Sequence, residues 1–223
     1  MQYSARLEAV NREPGLRERK KQRTRETIAR VALDLFAERG YHATTLSDVA
    51  EAADVSTRTI FSYYASKEDI VFCDFPSIKE ALARALAERP AGKDALETVR
   101  DFILSVDLER GGEGHRRWER IIASDDTLRS HKRARLAEIE EVVAGAIADD
   151  LSAGEDDVRP QLVAASLIAA MEVLDGKPDG AATPEDVVDP VIRFLRAGLE
   201  AVKTPSEKAR STRAPTRPKT ASR

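Results

Sequence analysis

From about residue 20 to 39 the apolar set Ile28, Val31, Ala32, Leu35 and Phe36 recurs at spacings of three and four, the stripe of an amphipathic helix that stops at Gly40. A second helix is predicted from Thr45, with Asp48 answering it as the acid of a capping pair and Val49, Ala50 and Ala53 forming its inner face. Asp54-Val55 reads as a tight turn. Ser56 then caps a third helix through Ile60, Phe61 and Tyr64, and Ser66 caps a fourth with Asp69 at its third position. Helix starts this closely spaced are an all-α pattern with short connections.

The helical period continues over 67–89 (Ile70, Ile78, Leu82, Leu86) and 94–109 (Leu96, Val99, Phe102, Ile103, Val106). After Gly111, Gly112 and Gly114 come a short helix around Trp118, Ile121 and Ile122 and a long one with Leu128, Leu136, Ile139, Val143 and Ile147 on its stripe. Residues 161–174 are apolar around most of their circumference, as in a helix covered on more than one side. Gly176–Thr183 reads as a loop. A last helix runs to about Val202, and Pro184 and Pro190 compete for its start. No strand-like alternation or internal repeat interrupts this pattern.

Composition narrows the class. At 223 residues, 42% hydrophobic and 34% charged, the chain has the balance of a soluble globular protein with one or two domains. No run of about 18 apolar residues is present, and the first residues lack a signal-like stretch, so no membrane segment is expected. The lone Cys73 excludes an internal disulfide framework, and a cytoplasmic protein is expected.

The net charge of −3 hides an uneven distribution. Residues 1–70 carry 12 basic and 11 acidic side chains, 71–202 carry 17 and 27, and 203–223 carry 7 and 1, so an acidic body lies between less acidic ends. Arg17, Arg19, Lys20, Lys21, Arg23 and Arg25 cluster against a single Glu18, the footprint of either a polyanion contact or a solvated basic helix start. Residues 1–16, with Pro14 and Gly15, are expected to form a flexible arm. The segment 203–223, without large apolar side chains, is expected to be a disordered basic tail that either touches DNA or only solubilises.

The informative stretch is 45–68, TLSDVAEAADVSTRTIFSYYASKE. Two short helices across a tight turn are the helix-turn-helix arrangement, whose second helix enters the DNA major groove. Ala50 and Val55 allow close crossing, and Ile60 with Phe61 is expected to anchor the reading helix. Thr57, Arg58, Thr59, Ser62 and Tyr63 then face outward. Hydroxyls bond phosphates or base edges, and the Arg58 guanidinium can bond guanine O6 and N7 together. Lys67 adds charge at a helix start. The same capped helices also suit a plain helical scaffold or a protein-binding adaptor.

The run IARVALDLFAERGYHATTLSDVAEAADVSTRTIFSYYASKEDIV resembles the DNA-binding domain of the tetracycline-repressor (TetR) family, over about Arg17 to Phe72. The resemblance rests on the Phe36–Gly40 helix end, Thr45, Val55-Ser56, Thr59-Ile60-Phe61, Tyr63-Tyr64 and Ser66-Lys67-Glu68. It implies phosphate contacts at Thr45, Thr59, Tyr63 and Lys67 and base contacts at Thr57, Arg58 and Ser62. Arg23 of the basic cluster is expected as a further DNA contact. This chain departs at Arg58, where many members have Gly, and at Tyr64, where many have Phe. The resemblance further implies nine or ten helices per protomer and a head over 17–66 with a three-helix helix-turn-helix. It places ligand binding and dimerisation in a body over 67–202, with homodimer contacts through helices of about 158–175 and 184–202.

On that footing the chain is expected to be a DNA-binding regulator, a repressor released from a palindromic operator by a small molecule. An activator or an effector-independent regulator on the same fold remains open. Phe72, Phe75, Phe102, Trp118 and Met171 are pocket candidates, although residues of that type at helical spacing are also ordinary core. The segment RRWERIIASDDTLRSHKRARL loosely resembles regulators with acyl-CoA-like ligands, in which Arg116, Arg117 and Arg120 would meet an anion. No nucleotide-binding, metalloprotease or dinucleotide motif is present, and His42, His115 and His131 are scattered, so no enzyme, cofactor or metal site is expected.

Overall fold

The computed structural model describes residues 15–110, 113–175 and 184–201. The expected arm (apart from Gly15 and Leu16), the loop 176–183 and the tail from 203 lie outside the described residues. Ten helices and no strands are found among those described: α1 Leu16–Arg39, α2 Leu46–Ala52, α3 Thr57–Phe61, α4 Lys67–Val71, α5 Phe75–Ala87, α6 Ala95–Arg110, α7 Glu113–Ala123, α8 Asp126–Leu151, α9 Arg159–Asp175 and α10 Pro184–Ala201. The all-α reading is therefore correct.

Two boundaries differ from the expectation, and a third, left open between two prolines, is decided. The first helix starts at Leu16, four residues early, because the Arg, Lys, Gln and Glu of its opening turns are good helix formers that carry no apolar period. The single helix expected over 67–89 is two helices. Phe72 leaves helical geometry at φ −105°, ψ 23°. Pro76 has no N–H to give the Phe72 carbonyl, which instead accepts from Phe75 at 3.1 Å. The competition between Pro184 and Pro190 ends with the helix starting at Pro184 and running through Pro190.

The described residues form two compact units, divided at Ile78/Lys79, Glu109/Arg110 and Leu136/Ala137. The first has a core of Ile28, Ala32, Phe36, Tyr41, Val49, Ile60, Tyr64, Ile70 and Phe72, joined by Ile121, Ile122 and Leu128. In it α1 packs against α2, α4 and α7, and α2 against α3. The second is built on Leu82, Leu86, Leu96, Val99, Val143, Ile147, Leu167, Val188, Ile192 and Leu195, with α9 lying against α10.

Candidate nucleic-acid interface

Capping chemistry shapes the head. The Thr45 hydroxyl donates to Asp48 Oδ2 at 2.6 Å and accepts from the Asp48 N–H at 3.1 Å, while the same carboxylate oxygen takes the Thr45 N–H at 2.7 Å. These bonds hold the Asp48 carboxyl below its usual range. Val49 of α2 and Ile60 of α3 are both fully buried and fix the crossing of the two helices. The Val55 N–H donates to the Ala50 carbonyl at 2.9 Å across a turn in which Asp54 takes φ 53°, a left-handed conformation that Asp tolerates. Ser56 Oγ accepts from the Thr59 N–H at 3.0 Å and starts α3.

The expected contact residues fall into three groups. Thr45, Thr59 and Ser62 have hydroxyls engaged locally: Thr45 with Asp48, Thr59 with Ser56 at 2.8 Å, and Ser62 donating to the Thr59 carbonyl at 2.7 Å. A phosphate oxygen needs a hydrogen, so binding through Thr45 or Ser62 requires releasing one of these bonds. The side chains of Thr57, Arg58 and Tyr63 have no hydrogen-bond or ion-pair partner among the described residues, and Arg58 is exposed. Arg23 is exposed on α1, whereas its neighbour Arg25 turns inward to the Cys73 carbonyl at 3.1 Å and the Tyr64 ring.

Lys67 is the third case. Its ammonium donates to the carbonyls of Tyr41 at 2.8 Å and Thr44 at 2.9 Å, and lies 4.2 Å from the centre of the Tyr41 ring.

Phe61 does not anchor α3 as expected. It is 56% exposed, because a five-residue helix followed by a turn has room inward only for Ile60 and Tyr64. The four-residue spacing of those two was the signal that could have placed Phe61 outward. An apolar ring on a reading helix suits a thymine methyl group.

Of the pocket candidates, Phe72, Phe75 and Trp118 come together in the first unit. Phe72 meets Phe75 at 5.7 Å and Trp118 at 5.9 Å between ring centres, and the indole N–H donates to the Val71 carbonyl at 2.7 Å. Phe102 and Met171 instead pack at the edge of the second core. Arg117 pairs with Asp34 and so is committed inside the first unit. Burial, reinforced by the Asp74 carboxylate, pushes the Cys73 thiol up to about 11, away from nucleophile chemistry. Among the described residues no His, Cys, Asp and Glu cluster could hold a metal ion, and no helix is long and apolar enough to cross a membrane.

A family model for bacterial regulatory proteins of the tetR family matches residues 28–72, which span α2, the turn, α3 and α4. TcmR of Streptomyces glaucescens, an HTH-type transcriptional regulator, is 36% identical over 174 residues, covering 72% of this chain and 75% of TcmR. The chain belongs to the TetR family. A second model, the MftR C-terminal domain, matches residues 94–200 of this TetR-family chain. MftR of Mycobacterium tuberculosis is 29% identical over 152 residues, 67% of this chain and 77% of MftR. Among solved structures, NalD of Pseudomonas aeruginosa shares the fold with a TM-score of 0.59 at 21% identity, over 79% of this chain and 97% of NalD. The protein is thus a DNA-binding transcriptional regulator rather than an enzyme, in a family whose members bind operator DNA and small-molecule effectors and act as dimers.

Proposed function

We propose that two copies of this chain bind a palindromic operator as a repressor and leave it when a small hydrophobic or acyl-type molecule binds the body. The observation that carries the DNA reading is α3 itself. Val49 and Ile60 hold it fast, while Thr57, Arg58 and Tyr63 keep polar groups unengaged. Thr57, Arg58 and Ser62, with Phe61 added, read bases; Thr45, Thr59, Tyr63 and Arg23 hold phosphates. In this division residues 17–66 recognise DNA and 67–202 bind ligand and partner.

The partner copy is read onto α9 and α10. Leu162 and Phe194 are 59% and 75% exposed, and they border an apolar groove with Val163, Leu195, Gly198 and Leu199. Large apolar side chains concentrated on one helix pair mark a surface that is covered in the working molecule. Two heads held about one helical turn apart, ~34 Å, then meet both half-sites. An effector releases the DNA to the extent that it prefers a protomer conformation with different head spacing.

The test is selection of duplexes from a randomised pool by the full chain. The expected product is an inverted repeat whose affinity falls about 10³- to 10⁵-fold between 50 and 200 mM salt. Recovery of no preferred duplex, or an affinity insensitive to salt, would defeat the reading.

A further inference from the structure

The corner between α1 and α2 is gripped from two other parts of the first unit, α4 and the turn between α7 and α8. Tyr41 is buried and its hydroxyl donates to Glu68 Oε1 at 2.5 Å. Burial raises the Glu68 carboxyl, but hydrogen bonds from Tyr41, its own backbone and Ser66 outweigh this and leave it below the usual range, so it stays an acceptor at neutral pH. His42 Nε2 meets Asp125 Oδ2 at 2.7 Å, and the nearly buried Asp125 also accepts from the Leu128 N–H at 3.0 Å. Thr44 is fully buried, its hydroxyl on the Gly40 carbonyl at 2.9 Å.

Lys67 closes the corner. Its two hydrogen bonds span Tyr41 and Thr44, the latter directly before the Thr45 cap of α2. The rings of Tyr41 and Phe36, 4.2 and 5.9 Å away, supply further cation–π stabilisation. An ammonium has three hydrogens, and two of these are committed. The carbonyl at 44 and the cap at 45 are adjacent, so what fixes one orients α2, and α2 carries α3.

We propose that Lys67 is a positioning residue for operator recognition, a clasp on the α1–α2 corner, and not a neutraliser of DNA phosphate. The proposal rests on the DNA-binding reading above. The test compares Lys67→Ala with Arg23→Ala on a duplex that the wild-type chain selects. Lys67→Ala is expected to lower affinity roughly ten- to a hundred-fold with the slope of log K against log[salt] unchanged, whereas Arg23→Ala reduces that slope by about 0.9 per protomer.

In the DNA-free protein, amides 46–50 are expected to exchange about ten-fold faster in Lys67→Ala while those of Ala32–Phe36 keep their protection. Lys67→Arg, able to donate to two carbonyls, should restore slow exchange. Should Lys67→Ala fold poorly, Lys67→Met keeps the stem against the rings and removes only the donors.

A salt slope reduced by about 0.9 per protomer in the Lys67 variant makes it a phosphate ligand and overturns the clasp. Unchanged exchange at 46–50 overturns it as well. If the wild-type chain selects no duplex, the DNA-binding reading fails instead, and the exchange result still decides whether the clasp exists.

Discussion

The two units are both helical, yet they are held together differently. The first core contains Phe36, Tyr41, Tyr64 and Phe72; the second contains no aromatic side chain among its fully buried members and has Ala95, Ala144, Ala146 and Ala164 instead. In the first unit the aromatics carry polar pins: Tyr41 to Glu68, Tyr64 to the Arg25 carbonyl and Trp118 to the Val71 carbonyl. Helix length explains the need. α2, α3 and α4 have seven, five and five residues, too short to stand on propensity alone. In the second unit α9 and α10 run to 17 and 18 residues beside 95–109 of α6 and 137–151 of α8, and small alanines let such rods pack closely. Precise placement of short segments requires directional bonds; a long-helix bundle needs mainly burial.

Their surfaces diverge too. Cutting the sequence at residue 70 makes the whole of 71–202 look acidic. In space, the basic row from Arg116 to Arg135 belongs to the first unit, whose described residues carry 18 basic against 14 acidic side chains, while those of the second carry 8 against 21. The positive excess thus lies with the DNA-reading helices, and the exposed apolar side chains Leu162 and Phe194 lie in the acidic unit.

The largest effect that tests this contrast is expected from Ile60→Ala. Ile60 is fully buried and is the only fully buried side chain of α3. Its loss should cost about 2–5 kcal/mol. Because the damage falls on one unit, denaturation followed by amide exchange should show amides 49–64 opening well before those of α9 and α10. A single cooperative loss of both units would show that their stabilities are not separable. Phe194→Asp comes next. It should leave both cores intact but raise the dimer dissociation constant at least thirty-fold, about 2 kcal/mol, as read by sedimentation. An unchanged association constant would remove α10 from the interface.

What the sequence made legible follows the same division. Thr45 with Asp48, Ser56 with Thr59 and Ser66 with Asp69 are local capping pairs, so their helix starts could be read three residues at a time. The break between α4 and α5 also had a local signal, Pro76, which the surrounding apolar period outweighed. The inward turns of Lys67, Arg25 and Arg117 had none. Each meets a partner 23 or more residues away in the chain, and a cation in a sequence looks the same whether it faces solvent or a distant carbonyl. The expected contact set was accordingly silent on which hydroxyls and cations are already occupied.

The smallest expected effect separates the units by pH. Burial, with the Asp74 carboxylate adding to it, raises the Cys73 thiol from 9.0 to about 11, and the Tyr41 and Tyr64 phenols are raised as well, first of all by burial. All three lie in the first unit. An acid whose pKa is higher in the folded chain keeps its proton there after the unfolded chain has lost it. Stability from Cys73 is therefore complete below pH 9, falls between pH 9 and 11 and is gone above that window. Allowing for the partly exposed thiol, the loss should be about 1 kcal/mol. The second unit's shifted carboxyls, Asp101, Asp157 and Asp189, are lowered by their bonds to Lys93, Arg159 and Arg100, so they titrate only on the acid side. Denaturant titrations at pH 8.5 and 10.5 should thus weaken the first unit more than the second, and Cys73→Ala should flatten part of that difference. Equal alkaline weakening of both units, or no change on removing the thiol, would mean that burial of Cys73 does not distinguish them.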